Sequence, residues 1–478
     1  MNRRNFITLA GTGLVFPTLS KVWSVAQTGI AGMKRPVTPG MHALTPSNTS
    51  LRIAPVNLEL AKGVNIRTVG YNGTAPGPLL RFKEGEPVNI DVYNDTDVDE
   101  LVHWHGLAID SRNDGAMEEG SPMVPAHRHL RYSFTPKPSG TRWYHTHAMA
   151  GADLSRAGYT GQFGFLYIEP KHEPGQYDQE IFLAVHHWGP SFFKMGEPMN
   201  ALDVHYKYAS FNDKLHSAAE PIRVKFGQRV LFRLLNASAT EAVRLALPGH
   251  LFTVVAMDGN VVPQPRSVET LALAVGERID AIVIGPSAGE YPMRTISFQN
   301  EAWRPPEPVR QLAVIHSSGL SQSAVIEDDI LRQRVTGPQW INDVRTAAIA
   351  RRRTLSYSRT ADRKVFMIDS RVVDEARTDQ TVKFGDTEEW TVINTDQQYH
   401  SFHIHQTPFL VTEVGGASWH DDSLRDTFSV PPATDQRPGT LKVVIPFTDP
   451  AIVGRFVYHC HAVDHEDKGM MGVIEVVA

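Results

Sequence analysis

Cysteine occurs once in 478 residues, at Cys460, and that scarcity excludes an internal disulfide. Positive charge is not in excess either. A formal net charge of -5 gives no reason to expect a nucleic-acid partner. The apolar run near the start, residues 6–19, is too short to cross a membrane. With 41% hydrophobic and 21% charged residues, the chain reads as soluble and globular rather than disordered. Its length exceeds what one ordinary core organises, so two or three domains are expected. Histidine is what the chain has in abundance: 21 residues, and they cluster.

The N-terminus resembles a twin-arginine signal. Arg3 and Arg4 precede the short apolar run, and Ser24-Val25-Ala26 offers a small-x-small cleavage site. Residues 1–26 are therefore expected to address the chain to the twin-arginine export machinery. The mature protein is expected to be periplasmic or secreted, with no membrane anchor. In an exported protein a lone thiol needs a reason of its own. Residues 27–47, rich in Gly, Pro, Ser and Thr, read as a loose leader.

The chain repeats itself. A glycine opens an alternating run that closes on asparagine nine residues later, at Gly85–Asn94, Gly227–Asn236 and Gly385–Asn394. Repeats this far apart suit a tandem of whole domains, and short β-branched and aromatic runs between Gly/Pro turns point to antiparallel β-sandwiches. The repeat also works as a ruler. Eighteen and twenty residues past the glycine lie His103 and His105 in the first copy and His403 and His405 in the third, but Leu245 and Leu247 in the second. Five and seven residues past Gly140 and Gly454 lie His145 and His147, and His459 and His461; past Gly289 lie Arg294 and Ile296. Two ligand-bearing domains flank one that bears none.

In a strand, alternate side chains share a face, so each His-x-His aims two imidazoles one way. Four such pairs can converge between two domains. Imidazole suits zinc, copper, iron and nickel alike. Cys460 decides among them: if His459 and His461 face the domain interface, its thiol points the other way, where His400, His465 and Met470 can meet it. A thiolate, two imidazoles and a thioether make a blue-copper site, and ligands on opposite strand faces cannot close one zinc tetrahedron.

His103-Trp104-His105-Gly106, Trp143-Tyr144-His145-Thr146-His147, residues 400–405 and residues 459–471 resemble, in order, the four copper signatures of multicopper oxidases. The resemblance spans all three domains and implies an all-β chain of three tandem cupredoxin-like Greek-key β-sandwiches. Residues 48–170 would form the first domain, 171–318 the second, 319–354 a polar linker with room for a short helix, and 355–478 the third. It implies four copper ions. His400, Cys460, His465 and Met470 would hold the type 1 copper, and His103 and His403 the type 2 copper. His105, His145 and His461 would hold one type 3 copper, and His147, His405 and His459 the other. Glu466 and Asp114 match acids that feed protons to the oxygen-reducing cluster. An exposed glutamate and a turn aspartate before Gly115 are the plainer readings of the same two residues. His127 and His129 share the spacing but have no counterpart in the repeat, and are read as a solvated strand face. His186 and His187 are read as non-ligands, and Met471 as core.

The expected activity is laccase-like: a small-molecule donor oxidised at type 1 copper, with O₂ reduced to water. Met470 as axial ligand implies a modest potential suited to phenols and aromatic amines. A metallo-oxidase acting on Cu(I), Fe(II) or Mn(II) is the alternative, and a copper-sequestering protein a third. The methionine-rich insert of dedicated cuprous oxidases is missing, since the third domain has only Met367, Met470 and Met471. Residues 413–426, with Trp419, His420, Asp421, Asp422 and Arg425, are expected at the substrate mouth.

Overall fold

The three repeats fold as the strands Val88–Asn94, Arg229–Asn236 and Thr387–Asn394. Their opening glycines take φ of 81°, 75° and 93°, a region that side chains with a Cβ rarely enter. Val88–Asn94 alternates buried and half-buried positions along its whole length, as a sheet with one packed face requires. Arg229–Asn236 is buried throughout. Phe232 and Leu234 fill the middle domain's core, while Leu235 joins a second cluster with Trp143 and Phe165 of the first domain.

The closing asparagines explain why the repeat ends as it does. Asn94 Nδ2 donates to the carbonyls of Val98 and Val124, and its Oδ1 accepts from Thr96 N. Asn236 bonds Glu241 O, Leu273 O and Ser238 N in the same way. Asn394 bonds Gln398 O, Pro431 O and Asp396 N. All three are fully buried. Each satisfies the backbone of a tight corner that would otherwise be orphaned, and each corner delivers the chain to the segment carrying ligands or, in the middle domain, leucines.

The structure is a computed structural model describing residues 43–44, 48–171, 177–194, 202–299, 306–321 and 339–478. The export segment 1–26 and nearly all of the leader 27–47 lie outside the described residues. Among the described residues, six sheets pair into three sandwiches. The first domain packs two four-stranded sheets, the middle domain a six-stranded on a five-stranded sheet, and the third a seven-stranded on a five-stranded sheet. The three largest apolar clusters follow the same division. This is the all-β, cupredoxin-like architecture expected. Part of the span read as linker is strand: Gln311–Leu320 enters it from one side and Ile349–Arg359 begins inside it from the other, with the helix Gln339–Thr346 between. Arg351, Arg352 and Arg353 made the segment look like a connection. As a strand, Arg352 pairs with Glu389 and Arg353 with Glu388 on the neighbouring strand.

Candidate metal centre

Strand register sorts the ligands onto opposite faces. His400–Ile404 pairs antiparallel with Gly454–Cys460, with His403 opposite His459 and Phe402 opposite Cys460. Phe402 and Cys460 enter the third domain's core, so His403 and His459 face outward, toward the first domain. There a bridge sets His103 against His145. At the interface, His103, His105 and His403 bring donor atoms within 4.8 Å of one another; so do His105, His145 and His461, and so do His147, His405 and His459. All eight imidazoles are buried. Leu245 and Leu247, at the corresponding middle-domain positions, lie in that domain's apolar core.

The hydrogen bonds show which nitrogen each ring presents. His103 Nδ1 bonds Asp114 O at 2.9 Å, His145 Nδ1 bonds Thr146 O at 2.9 Å and His403 Nδ1 bonds Asp426 O at 2.7 Å. A carbonyl only accepts, so Nδ1 carries the proton and Nε2 offers a lone pair. The Nε2 atoms of all three are buried without a hydrogen-bond partner among the described residues. His105 is reversed: its Nε2 meets Asp426 Oδ1 at 3.0 Å, and its Nδ1 lies 3.3 Å from His461 Nε2. Burial, with crowding by other imidazoles, holds the pKa values of His105, His145, His403 and His405 well below the usual range, and that of His461 at about 3. Neutral, converging, orphaned ring nitrogens fit metal ions.

On the other face, Cys460 Sγ lies 3.6 Å from His400 Nδ1 and 3.4 Å from His465 Nδ1, and the two Nδ1 atoms are 3.1 Å apart. Cys460 N donates to Met470 O, and Met470 is fully buried. Burial pushes the thiol up to about 12, so the metal-free cysteine is protonated. Gln398 Nε2 lies 2.8 Å from His465 Nε2, and Phe366 stacks on the His465 ring. The donor set, one thiol and two imidazoles beside a thioether residue, fits copper.

Neither acid is an exposed residue. Glu466, in the helix Val463–Asp467, lies 3.1 Å from His459 Nδ1 and 3.3 Å from His147 Nε2. Asp114 ends the helix Ser111–Asp114 and is fully buried, with Oδ2 2.8 Å from His405 Nδ1. Gly115 follows at φ 94°, where a Cβ would collide with Val102 O, so the turn reading holds for the backbone while the Asp114 side chain serves the cluster. Spacing did not reveal Glu119, whose Oε1 also lies 2.8 Å from His405 Nδ1. Burial and the adjacent Asp114 raise its pKa well above the usual range. His127 pairs with Asp97 at the surface, His129 stacks on Tyr93, and His186 and His187 bond Ala237 O and Ser238 Oγ. Met471 packs with Ala116 and Val457.

The middle domain, read as bearing no ligands, still reaches the cluster. Arg278 donates to both oxygens of Asp426, at 2.7 and 2.6 Å, and Asp426 holds His105. Asp258 Oδ2 accepts from Asp426 N and Thr427 N, and Arg142 of the first domain donates to Asp258 O at 2.5 Å. Asp426 is thus not at a substrate mouth. Trp419, His420, Asp421 and Arg425 do line a cavity of about 550 Å³ between the middle and third domains, together with Tyr399 and Ser429, whereas Asp422 does not and pairs with Arg345 instead. Tyr399 directly precedes His400, and Ser429 pairs with Ser401 on the strand next to it. A second cavity, about 30 Å³ and the size of a water site, is lined by His145, His147, His461, Glu466 and Asp467.

Three family models described as multicopper oxidase match residues 52–173, 194–320 and 349–478, together most of the chain. The multicopper oxidase MmcO of Mycobacterium tuberculosis is 25% identical over an alignment covering 98% of this chain and 95% of that protein. Among solved structures, a laccase from Pediococcus acidilactici superposes with a TM-score of 0.75 at 21% identity, covering 94% of this chain and 95% of that one. A metallo-oxidase from Campylobacter jejuni gives 0.74 at 22% identity, covering 92% and 96%. With a cupredoxin-like fold in triplicate and histidine clusters suited to copper, this chain belongs to the multicopper oxidase family, oxidoreductases that bind copper and use O₂.

Proposed function

We propose that the protein is a laccase-like oxidase of phenolic and aromatic-amine donors, holding four copper ions. His400, Cys460, His465 and Met470 would hold type 1 copper; His103 and His403, type 2; His105, His145 and His461 one type 3 ion, and His147, His405 and His459 the other. When bound, copper supplies the redox chemistry: one-electron oxidation of the donor at the thiolate site and four-electron reduction of O₂ to water at the histidine cluster. The chain's own groups orient and insulate. Backbone carbonyls hold His103, His145 and His403 with Nε2 inward, and Asp114 and Glu466 hold His405 and His459 by Nδ1. Glu466, lining the small cavity, passes protons inward from solvent, and Asp114 does so from the first-domain side.

The 550 Å³ cavity carries the donor assignment. It has aromatic walls, and it adjoins the strand bearing His400. Steady-state rates on a phenol, an aromatic amine, Cu(I) and Fe(II) under one set of conditions test it. Phenol and amine turnover without added copper is expected. Negligible phenol oxidation beside fast Cu(I) oxidation would overturn it in favour of a metallo-oxidase. We also propose twin-arginine export to the periplasm or beyond, supported by Arg3, Arg4 and the apolar run after them. Replacing both arginines by lysine should leave unprocessed protein in the cytoplasm, seen by fractionation.

A further inference from the structure

The cavity between the middle and third domains is not uniformly apolar. Its floor is Val254, Met257 and Leu273, and Phe298, Trp419 and Phe428 supply flat aromatic surface. Three arginines also line it: Arg244, Arg266 and Arg425. The two carboxylates present are already engaged. Arg425 Nη1 bonds Glu277 at 2.5 Å, its Nη2 bonds Asp421, and Arg266 Nη2 bonds Asp421 at 3.2 Å. Donors are left over. Among the described residues, Arg266 Nη1 and Arg425 Nε are buried without a hydrogen-bond partner, and Arg425 is only 2% exposed. Arg244 makes no ion pair among the described residues; its guanidinium sits 4.9 Å over the Phe298 ring. Burial raises the pKa of the Glu277 carboxyl, and the Arg425 guanidinium beside it pulls the other way. Buried guanidinium donors without acceptors are costly, and an anion that enters with its own acceptor oxygens relieves them.

We infer that this cavity selects aromatic anions, phenols that carry a carboxylate, with the carboxylate on Arg244 and Arg266 and the ring on the aromatic wall. The inference rests on the phenol-oxidase reading and names its substrate class. Each phenol loses one electron and one proton to give a phenoxyl radical, and four such events supply the electrons and protons that turn one O₂ into two waters. The carboxylate is not consumed. The same arginines repel Cu(I) and Fe(II), so a metal-ion donor would have to dock elsewhere. Neutral phenols fit the apolar floor but leave the arginine donors unanswered.

Syringate and methyl syringate share one oxidisable phenol and differ in charge, so they separate the two claims. With the copper-loaded enzyme, kcat/KM for syringate is expected to exceed that for the ester by about tenfold, the size of one charge-assisted contact. Arg244→Gln, at an exposed position, should shrink that ratio toward one with copper content unchanged, and Arg266→Gln should do the same. Veratrate, an anion with no phenol to oxidise, should bind the wild type in isothermal titration several-fold more tightly than it binds Arg244→Gln. Equal kcat/KM for acid and ester, or veratrate binding indifferent to Arg244, would overturn the anion preference and leave the oxidase reading standing. Failure to oxidise either phenol would overturn the oxidase reading and this inference with it.

Discussion

Which nitrogen of an imidazole faces inward is decided one hydrogen bond at a time. Carbonyls at Asp114, Thr146 and Asp426 lock three rings with Nε2 inward, while the Asp426 carboxylate turns His105 the other way. A copper ion held by Cys460 would displace a proton from a thiol that burial holds at about 12. Cys460→Ser removes that ligand. The variant should lose the intense blue absorption and all donor oxidation, yet keep three coppers by metal analysis; a blue variant would refute the assignment. Glu466→Gln and Asp114→Asn keep shape and remove a titrating group. Each should stay blue and be reduced by donor at a near-normal rate, but be reoxidised by O₂ at least tenfold more slowly in stopped flow. Normal reoxidation in both would leave the acids as orienting groups for His459 and His405. The clustered histidines were legible because their four pairs recur in register with the domain repeat, which His127 and His129 do not. Glu119 and Asp426 were not, since a lone acid has no periodicity, and only the fold brings each within 3 Å of a ring.

Strand ends, corners and struts form the next scale. The asparagine that closes each repeat holds two carbonyls and one N–H in a dry corner. Asn236→Ala in the middle domain should cost about 2–4 kcal/mol, read as a lower denaturant midpoint, because three buried polar groups lose their partner. Asn394→Ala should add a spectroscopic effect. Asn394 holds Gln398 O, and the Gln398 side chain touches His465, so the blue absorption should shift as well as the midpoint. Arg278 is the strut from the middle domain. Arg278→Met removes the nearest cation from the buried Asp426 and Asp258, leaving Asp426 only Arg142 at 3.9 Å, a loss of about 3–5 kcal/mol. It should release copper from the histidine cluster while the blue site persists, as a falling copper-to-protein ratio would show. The repeat announced its asparagines in the sequence, but nothing announced Arg278, whose partner lies in another domain.

At the scale of the whole molecule, the first and third domains face each other across imidazoles that are buried and mostly held neutral. Burial sets His147 at about 4 and His461 at about 3, whereas unfolded histidines titrate near 6.5. Between those values the unfolded chain binds protons that the folded one refuses, so stability rises with pH. His459 runs against the trend, because Glu466 outweighs its burial and raises it. Chelator-treated protein should therefore lose Tm steadily as pH falls from about 7 to about 4. Copper-loaded protein should melt higher throughout, since copper binds the folded state, and the gap should narrow in acid as protons compete for the rings. A flat Tm profile for the metal-free protein would contradict this account.

What the sequence determined by itself is what local chemistry and spacing can encode. Three repeats, strands of period two, four His-x-His pairs and a cysteine on the opposite face follow from alternation along a strand and need no knowledge of neighbours. The tertiary structure decided the rest. It converted Ile349–Arg359 from apparent linker to strand by supplying Glu388 and Glu389 as partners for its arginines. It brought Arg278, Asp258 and Asp426 from two domains onto one histidine, and set three arginines around an aromatic cavity. Charge pairing and cavity shape depend on distances between residues far apart in the chain, and those distances exist only once the domains have packed.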